Sequence, residues 1–399
     1  MRLAALLAGL ALAAGSAADT LHLPLGDPAR RDRTTRVQLD AITDTRTGEV
    51  LSPAELARRL ADTRILFLGE EHTSVEHHRV QLHVLRALVD SGREPILGVE
   101  MLPYTQQALL ERWWRGEIAE AQFADAWYEH WSHHWGYYRE IFQYARERKL
   151  PLVALNVPRE AVRVARSQGF EALDATTRAH LPPAIDATHE EFRRLFDASF
   201  ASDDPLHGAL AGAQREGLYR AQAMWDAALG WNAAQALEKS GRERAVVVVL
   251  LGTGHMAYGL GAERQLASHF KGPVRSLVAV HVRAKDARAE VQSSYADYVW
   301  GVPAEGGPVY PVLGVSLAGN LGSDPTRVIQ VEKGSSAERA GVQVGDILVS
   351  ANGAPLQSSV SLPRALADFA WGDVMILELR RGNNTLRLPV AFRRTAAAN

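Results

Sequence analysis

Two acids and a histidine in a row, Glu70-Glu71-His72, follow the apolar run Ile65–Leu68 after a single glycine, Gly69. Polar groups close three more apolar runs: Glu100 after Ile96–Val99, Asn156 and then Arg159 after Leu152–Leu155, and Gly252-Thr253-Gly254-His255 after Ala245–Leu251. Carboxylates and imidazoles carry out acid–base steps or hold metals, and an arginine clamps a carboxylate or oxyanion. Glu70, Glu71 and Glu100 are therefore candidate bases or carboxylate ligands, Arg159 a candidate clamp, and His72 and His255 candidate imidazole ligands. One acid or histidine after a strand is commonly a helix cap. Four polar termini together call for a common reason.

That reason lies in the elements that carry them. With Ser276–Val282, the runs make five short apolar segments separated by helix-like stretches such as Val75–Val89. Strands that are apolar throughout and alternate with helices predict an α/β domain with a mainly parallel sheet and helices on both faces. The carboxyl ends of parallel strands lie along one edge, which is where such sheets bind ligands. Asp186–Lys239 shows only helical spacing and reads either as a helical insertion or lid over the sheet or as a plain packing helix pair. Glycine and proline crowd Gly301–Pro308, placing a linker over 301–311, and residues 312–395 follow as a small β-rich domain.

Met1-Arg2, the apolar run Leu3–Ala14 and the small residues through Ala18 read as a signal peptide over 1–18, hence a periplasmic or secreted protein. No later stretch is long and apolar enough for a transmembrane segment. The chain has no cysteine, which excludes disulfides, thiolate sites and an N-terminal lipid anchor, so a metal would need His, carboxylate or Tyr ligands. Its 44 basic and 46 acidic residues are interspersed and give no nucleic-acid footprint. Neither H-E-x-x-H nor G-x-S-x-G occurs. Gly252–Ala257 fits G-x-G-x-x-A formally, but the next strand ends in His281 instead of an acid for a ribose. Trp127, Trp131 and Trp135 would form a stripe if helical, packed on the sheet or walling a flat apolar ligand.

Leu68–His72 with His77-His78 and Gln81, Gly98–Met101, Leu155–Glu160, Gly252–His255 with Tyr258, and Tyr298–Trp300 occur in the order seen in the ChaN family of haem-binding uptake proteins. Residues 40–300 resemble that family, which shares a Gly-x-x-His loop with the Tiki proteases and erythromycin-esterase-like enzymes. The resemblance implies haem ligated by Tyr or His, in a dimer, with His72, Glu100, Arg159 and His255 carried over as site residues alongside Asn156. It makes Tyr258 the first choice of axial ligand, with Tyr137 or Tyr138 in reserve. The alternative is a metal-dependent hydrolase of that wider group, holding zinc or manganese on His72, His255 and a carboxylate among Glu70, Glu71 and Glu100, with Glu100 the first choice. The C-terminal region resembles the PDZ domains of periplasmic proteases, with Leu313-Gly314-Val315 as carboxylate loop and Gly334–Leu348 as central stretch. That resemblance implies capture of a peptide or protein C-terminus, or a scaffold in which only this module acts.

Overall fold

The computed structural model describes residues 20–200, 213–283, 288–319 and 324–394, so the signal-peptide segment lies outside the described residues. The described residues divide into two compact units, one holding 20–123 and Tyr137–Glu305, the other holding Ala124–Gly136 and 306–394.

The strands of the first unit are β1 (Thr34–Gln38), β2 (Ile42–Asp44), β3 (Val50–Leu51), β4 (Ile65–Glu70), β5 (Glu94–Pro103), β6 (Leu152–Asn156), β7 (Ala245–Gly252), β8 (Val274–Val282), β9 (Arg288–Gln292) and β10 (Tyr298–Pro303). Eight of them form one sheet in the order β3-β2-β10-β8-β4-β7-β5-β6. Its pairings are parallel from β10 to β6, and β2 joins antiparallel to β10 and β3. β4 and β7 are buried along their whole length, which is why their sequences show no polar face. The helices Val75–Asp90 and Ala213–Ser240 pack on the sheet. The latter lies in the expected helical segment and buries Leu218, Ala221, Met224, Ala228 and Leu229 as a packing helix over the sheet.

Two expectations change here. Gly301-Val302-Pro303 is not linker but the end of β10, buried through Val302. Gly301 serves a close approach, since a Cβ there would lie 2.0 Å from the Gln38 carbonyl oxygen. The domain also begins before residue 40: β1 pairs with β9, and Leu25 is fully buried.

The second unit has β11 (Val315–Leu317) paired with β12 (Val328–Val331), and a four-stranded sheet β14-β13-β15-β16 of Ala354–Pro355, Ile347–Ala351, Val374–Arg381 and Asn384–Ala391. Leu313, Val328, Leu348, Leu362, Leu366 and Phe392 share its core. Asn352 and Gly353 both take positive φ and turn β13 into β14, as an Asn-Gly pair in a hairpin should. Gly341, with φ 83°, ends the helix Ser336–Ala340. The tryptophan stripe is not continuous: one helix ends at His130 and a separate turn starts at Trp135. Residues 124–136 belong to this second unit. There Asp125 pairs with Arg364 at 2.6 Å, and the His134 ring stacks on Tyr310 while its Nε2 donates to the Ala367 carbonyl.

Candidate functional site

β4, β7, β5 and β6 are neighbours, so their carboxyl ends bring Glu70, Gly252, Glu100 and Asn156 to one edge. Glu70 and Gly252 are direct register partners. Beyond Val99 the β5–β6 register is irregular, and such an irregularity re-aims side chains at a sheet rim.

Glu70 is fully enclosed. Its Oε1 accepts the Tyr138 hydroxyl at 2.5 Å and lies 3.0 Å from His72 Nδ1, and its Oε2 accepts Gln81 Nε2 at 2.7 Å, with His78 Nδ1 3.4 Å away. Burial raises a carboxyl's pKa, but His78, His72 and Tyr138 outweigh it and hold Glu70 down at about 2. Its partners favour the carboxylate form.

Glu100 lies on the other side of β7. Its Oε2 accepts the Gly252 N–H at 2.6 Å, and its Oε1 is 3.2 Å from His255 Nε2. The second nitrogen of His255 is 2.6 Å from Asp226 Oδ1, an atom that also accepts Gln222 Nε2 at 3.2 Å. Burial alone would discharge this imidazole; Glu100 and Asp226 prevail and push it up to about 10. His255 is thus an imidazolium held between two carboxylates. The halves meet at Gly252, where a Cβ would lie 2.8 Å from His72 Cε1 and 3.7 Å from His255 Cδ2.

Other expected residues take different places. Asn156 gives both polar atoms to the backbone, donating to the Glu100 carbonyl and accepting the Val157 N–H, so it shapes the edge. Arg159 is exposed in the first turn of the helix Arg159–Gln168. Tyr258 sits at φ 63° with its hydroxyl donating to the Thr20 carbonyl and accepting the Leu23 N–H at 2.9 Å. The N-terminal segment closes it off, and burial raises its pKa further. Tyr258→Phe is therefore expected to leave any ferric haem spectrum unchanged while costing about 1 kcal/mol of stability, read by urea unfolding.

His72, His255 and Glu100 do not converge as a metal site. Among the described residues, only Glu71, His77 and His281 bring three ligand atoms within 4.8 Å of one another. His77 is a poor ligand there. Its Nδ1 accepts the Glu71 N–H at 3.0 Å, so the neutral ring keeps its proton on Nε2 and has no lone pair to give.

A family profile described as haem-binding uptake, Tiki superfamily, ChaN matches residues 56–266, more than half of the chain. The chain belongs to the ChaN family. A PDZ profile matches residues 327–381 of this ChaN-family chain. Among solved structures, the chain is similar to one described as "Cofacial heme binding to ChaN of Campylobacter jejuni", at 18% identity over 65% of this chain and 95% of that one, with TM-score 0.49. It is also similar to a mutant of the erythromycin esterase EreC, at 12% identity over 68% and 98% with TM-score 0.38. The C-terminal region is similar to the HtrA3 PDZ domain bound to a phage-derived ligand, at 38% identity over 16% and 60% with TM-score 0.15. No curated protein matches.

Sequence reasoning missed Asp226 and Gln222, which hold His255 from the helix Ala213–Ser240. The available signal was an amide and an acid four residues apart in an otherwise apolar stretch. It also missed His180 and Asn232, on the same edge as β6: Asn232 Nδ2 donates to the Leu155 carbonyl at 2.8 Å and to the His180 carbonyl at 3.2 Å.

Proposed function

We propose that this ChaN-family protein is exported and binds haem at the carboxyl edge of its sheet for haem or iron acquisition, while its PDZ domain docks it to a protein C-terminus. Membership of a haem-binding family across residues 56–266 is the observation that carries the reading. Apolar groups pack at the β6 end of this edge. Beside Asn156, the buried cluster of Val157, Ala161, Leu173, Leu181, Met224 and Ala228 is flanked by the partly exposed rings of Tyr104, Phe170 and Trp225. Large apolar surface with a few placed polar groups is what a flat cofactor requires.

Bound haem would supply an iron centre whose behaviour its axial ligand sets. The chain's own residues do the rest. The Glu70 and His255 networks keep fixed charges on the edge, and the rings of Tyr104, Phe170 and Trp225 would shield a bound apolar group from water.

Haem titration of the full chain, followed by absorbance, should give a saturable Soret band. Titration with no saturable change, together with zinc or manganese in elemental analysis of the purified protein, would transfer the reading to the metal-dependent hydrolase. Export predicts a mature N-terminus at Ala18 or Asp19 in periplasmic protein, and intact Met1 there would refute it.

A further inference from the structure

We infer that peptide capture by the PDZ domain tightens the Glu70–His72 edge of the α/β domain through two short spans of chain; the inference rests on the peptide part of the reading above and not on haem. Among the described residues the chain passes between the two compact units three times, at Phe123–Ala124, Gly136–Tyr137 and Glu305–Gly306. The last two passages are pinned within a few residues on both sides, and both end at the Glu70–His72 loop.

The first span starts at the helix of the peptide groove. A strand added beside β11 lies against the helix Ser361–Leu366, whose Leu362 and Leu366 share a core with Leu313. Six residues make too few hydrogen bonds to hold a helix alone, so contacts from outside it decide its order. Ala367 ends this helix, and its carbonyl accepts the His134 Nε2–H at 3.0 Å. The tautomer is set from the far side of the ring, where Nδ1 accepts the Gly136 N–H at 2.9 Å. Burial lowers the pKa of His134, in keeping with a ring that carries one proton. Gly136 is hemmed in as well, since a Cβ there would lie 2.0 Å from the Tyr310 hydroxyl oxygen. Two residues on, the buried Tyr138 donates its hydroxyl to Glu70 Oε1 at 2.5 Å.

The second span is Pro303–Pro308. Glu305 Oε1 accepts the Ser74 hydroxyl at 2.8 Å and the Glu76 N–H at 2.7 Å, which places its charge at the N-terminus of the helix Val75–Asp90, just after the Glu70–His72 loop. His281 Nδ1 donates to the Pro303 carbonyl at 3.0 Å, and its Nε2 stands 3.6 Å from Glu71 Oε2. Three residues beyond Glu305, the Pro308 carbonyl accepts the Trp371 Nε1–H at 3.1 Å, and Trp371 lies shortly after the helix Ser361–Leu366. Gly306 and Gly307 let this span bend, but three peptide units fix its reach.

A peptide that orders the helix Ser361–Leu366 therefore restricts both spans. Freedom already lost by the spans is not lost again at the edge, so the coupling is favourable. By reciprocity, a ligand that needs the ordered edge strengthens peptide capture by the same factor.

The test uses the full chain and a fluorescent peptide with a free, apolar last residue. Anisotropy reads peptide binding, and hydrogen exchange followed by mass spectrometry reads residues 65–90. Saturating peptide should slow exchange there by about fivefold or more. The double variant His134→Phe/Glu305→Ala removes the side-chain bonds of both spans and leaves Leu313–Val315 and β11 intact. Shown to be folded by a thermal melt, it should bind the peptide as wild type does, with no slowing over 65–90. If it does not fold, His134→Phe and Glu305→Ala must each reduce the slowing when made singly. Wild type that binds peptide while exchange over 65–90 stays unchanged overturns the coupling and leaves the PDZ reading standing. Variants that transmit the full effect overturn the two spans as its route. Wild type that binds no peptide ends the PDZ reading and the coupling together, and the haem titration still decides the haem reading by itself.

Discussion

Glu100→Ala is expected to destabilise the full chain by about 3–5 kcal/mol at neutral pH, the usual cost of removing one partner from a buried ion pair. Glu100 faces His255 at 3.2 Å and takes the Gly252 N–H at 2.6 Å, and both contacts are buried. The loss strands part of an imidazolium and one backbone donor together. Its pH dependence identifies the cause. His255 titrates at about 10 in the fold against an ordinary value of 6.5, so its stabilisation is complete below 6.5 and fades as pH climbs to about 10. Glu100 is shifted the other way: burial opposes its ionisation, His255 and His72 outweigh that, and its share is present above 4.5 and fades in acid. The difference between wild type and Glu100→Ala should therefore be largest in mildly acidic to neutral solution and narrow toward alkaline pH. Urea unfolding across that range measures it. A gap that stays constant up to about pH 10 would mean that His255 is neutral in the fold.

The same network shows why part of the site was legible in the sequence and part was not. Glu70, Glu100 and His255 each follow a run that is apolar throughout, and the change from apolar to polar marks the strand end by itself. Asp226 and Gln222 have no such frame. Their helix is buried on most sides, so its sequence has no clean polar face against which two inward polar residues would stand out. Tyr258 shows what position alone leaves out. A tyrosine beside a Gly-x-x-His loop fits a ligand role by position, but its partners, Thr20 and Leu23, lie more than 230 residues away in sequence. Gly301 was placed in the linker because glycine and proline cluster after it, whereas it is a strand residue opposite the Gln38 carbonyl. The PDZ turns were plain from sequence because they are local: Asn352-Gly353 and Gly341 need positive φ whatever surrounds them.

Amidating the C-terminus of a peptide with an apolar last residue should weaken its binding to the full chain by about tenfold or more, because the carboxylate–NH bonds are charge-assisted. Gly314 is at the centre of this expectation. It takes φ 77°, and its carbonyl accepts the Glu332 N–H while the Leu313 carbonyl accepts that of Ala337, which ties the loop down on both sides. β11 pairs only with β12 among the described residues, so its other edge is open to an added strand, and Leu362 and Leu366 of the helix Ser361–Leu366 share the core with Leu313. A Cβ on Gly314 would stand 2.3 Å from Ser335 Cβ in a backbone conformation that disfavours side chains. Gly314→Ala should therefore abolish the preference for the free acid over the amide, read by fluorescence anisotropy with both peptides. The full chain is the proper sample, because Asp125 and His134 belong to the same compact unit as this domain and a C-terminal fragment would lose them. A thermal melt separates loop damage from unfolding. Equal affinity of wild type for acid and amide would show that Leu313-Gly314-Val315 receives no carboxylate, and the domain's role would then be structural.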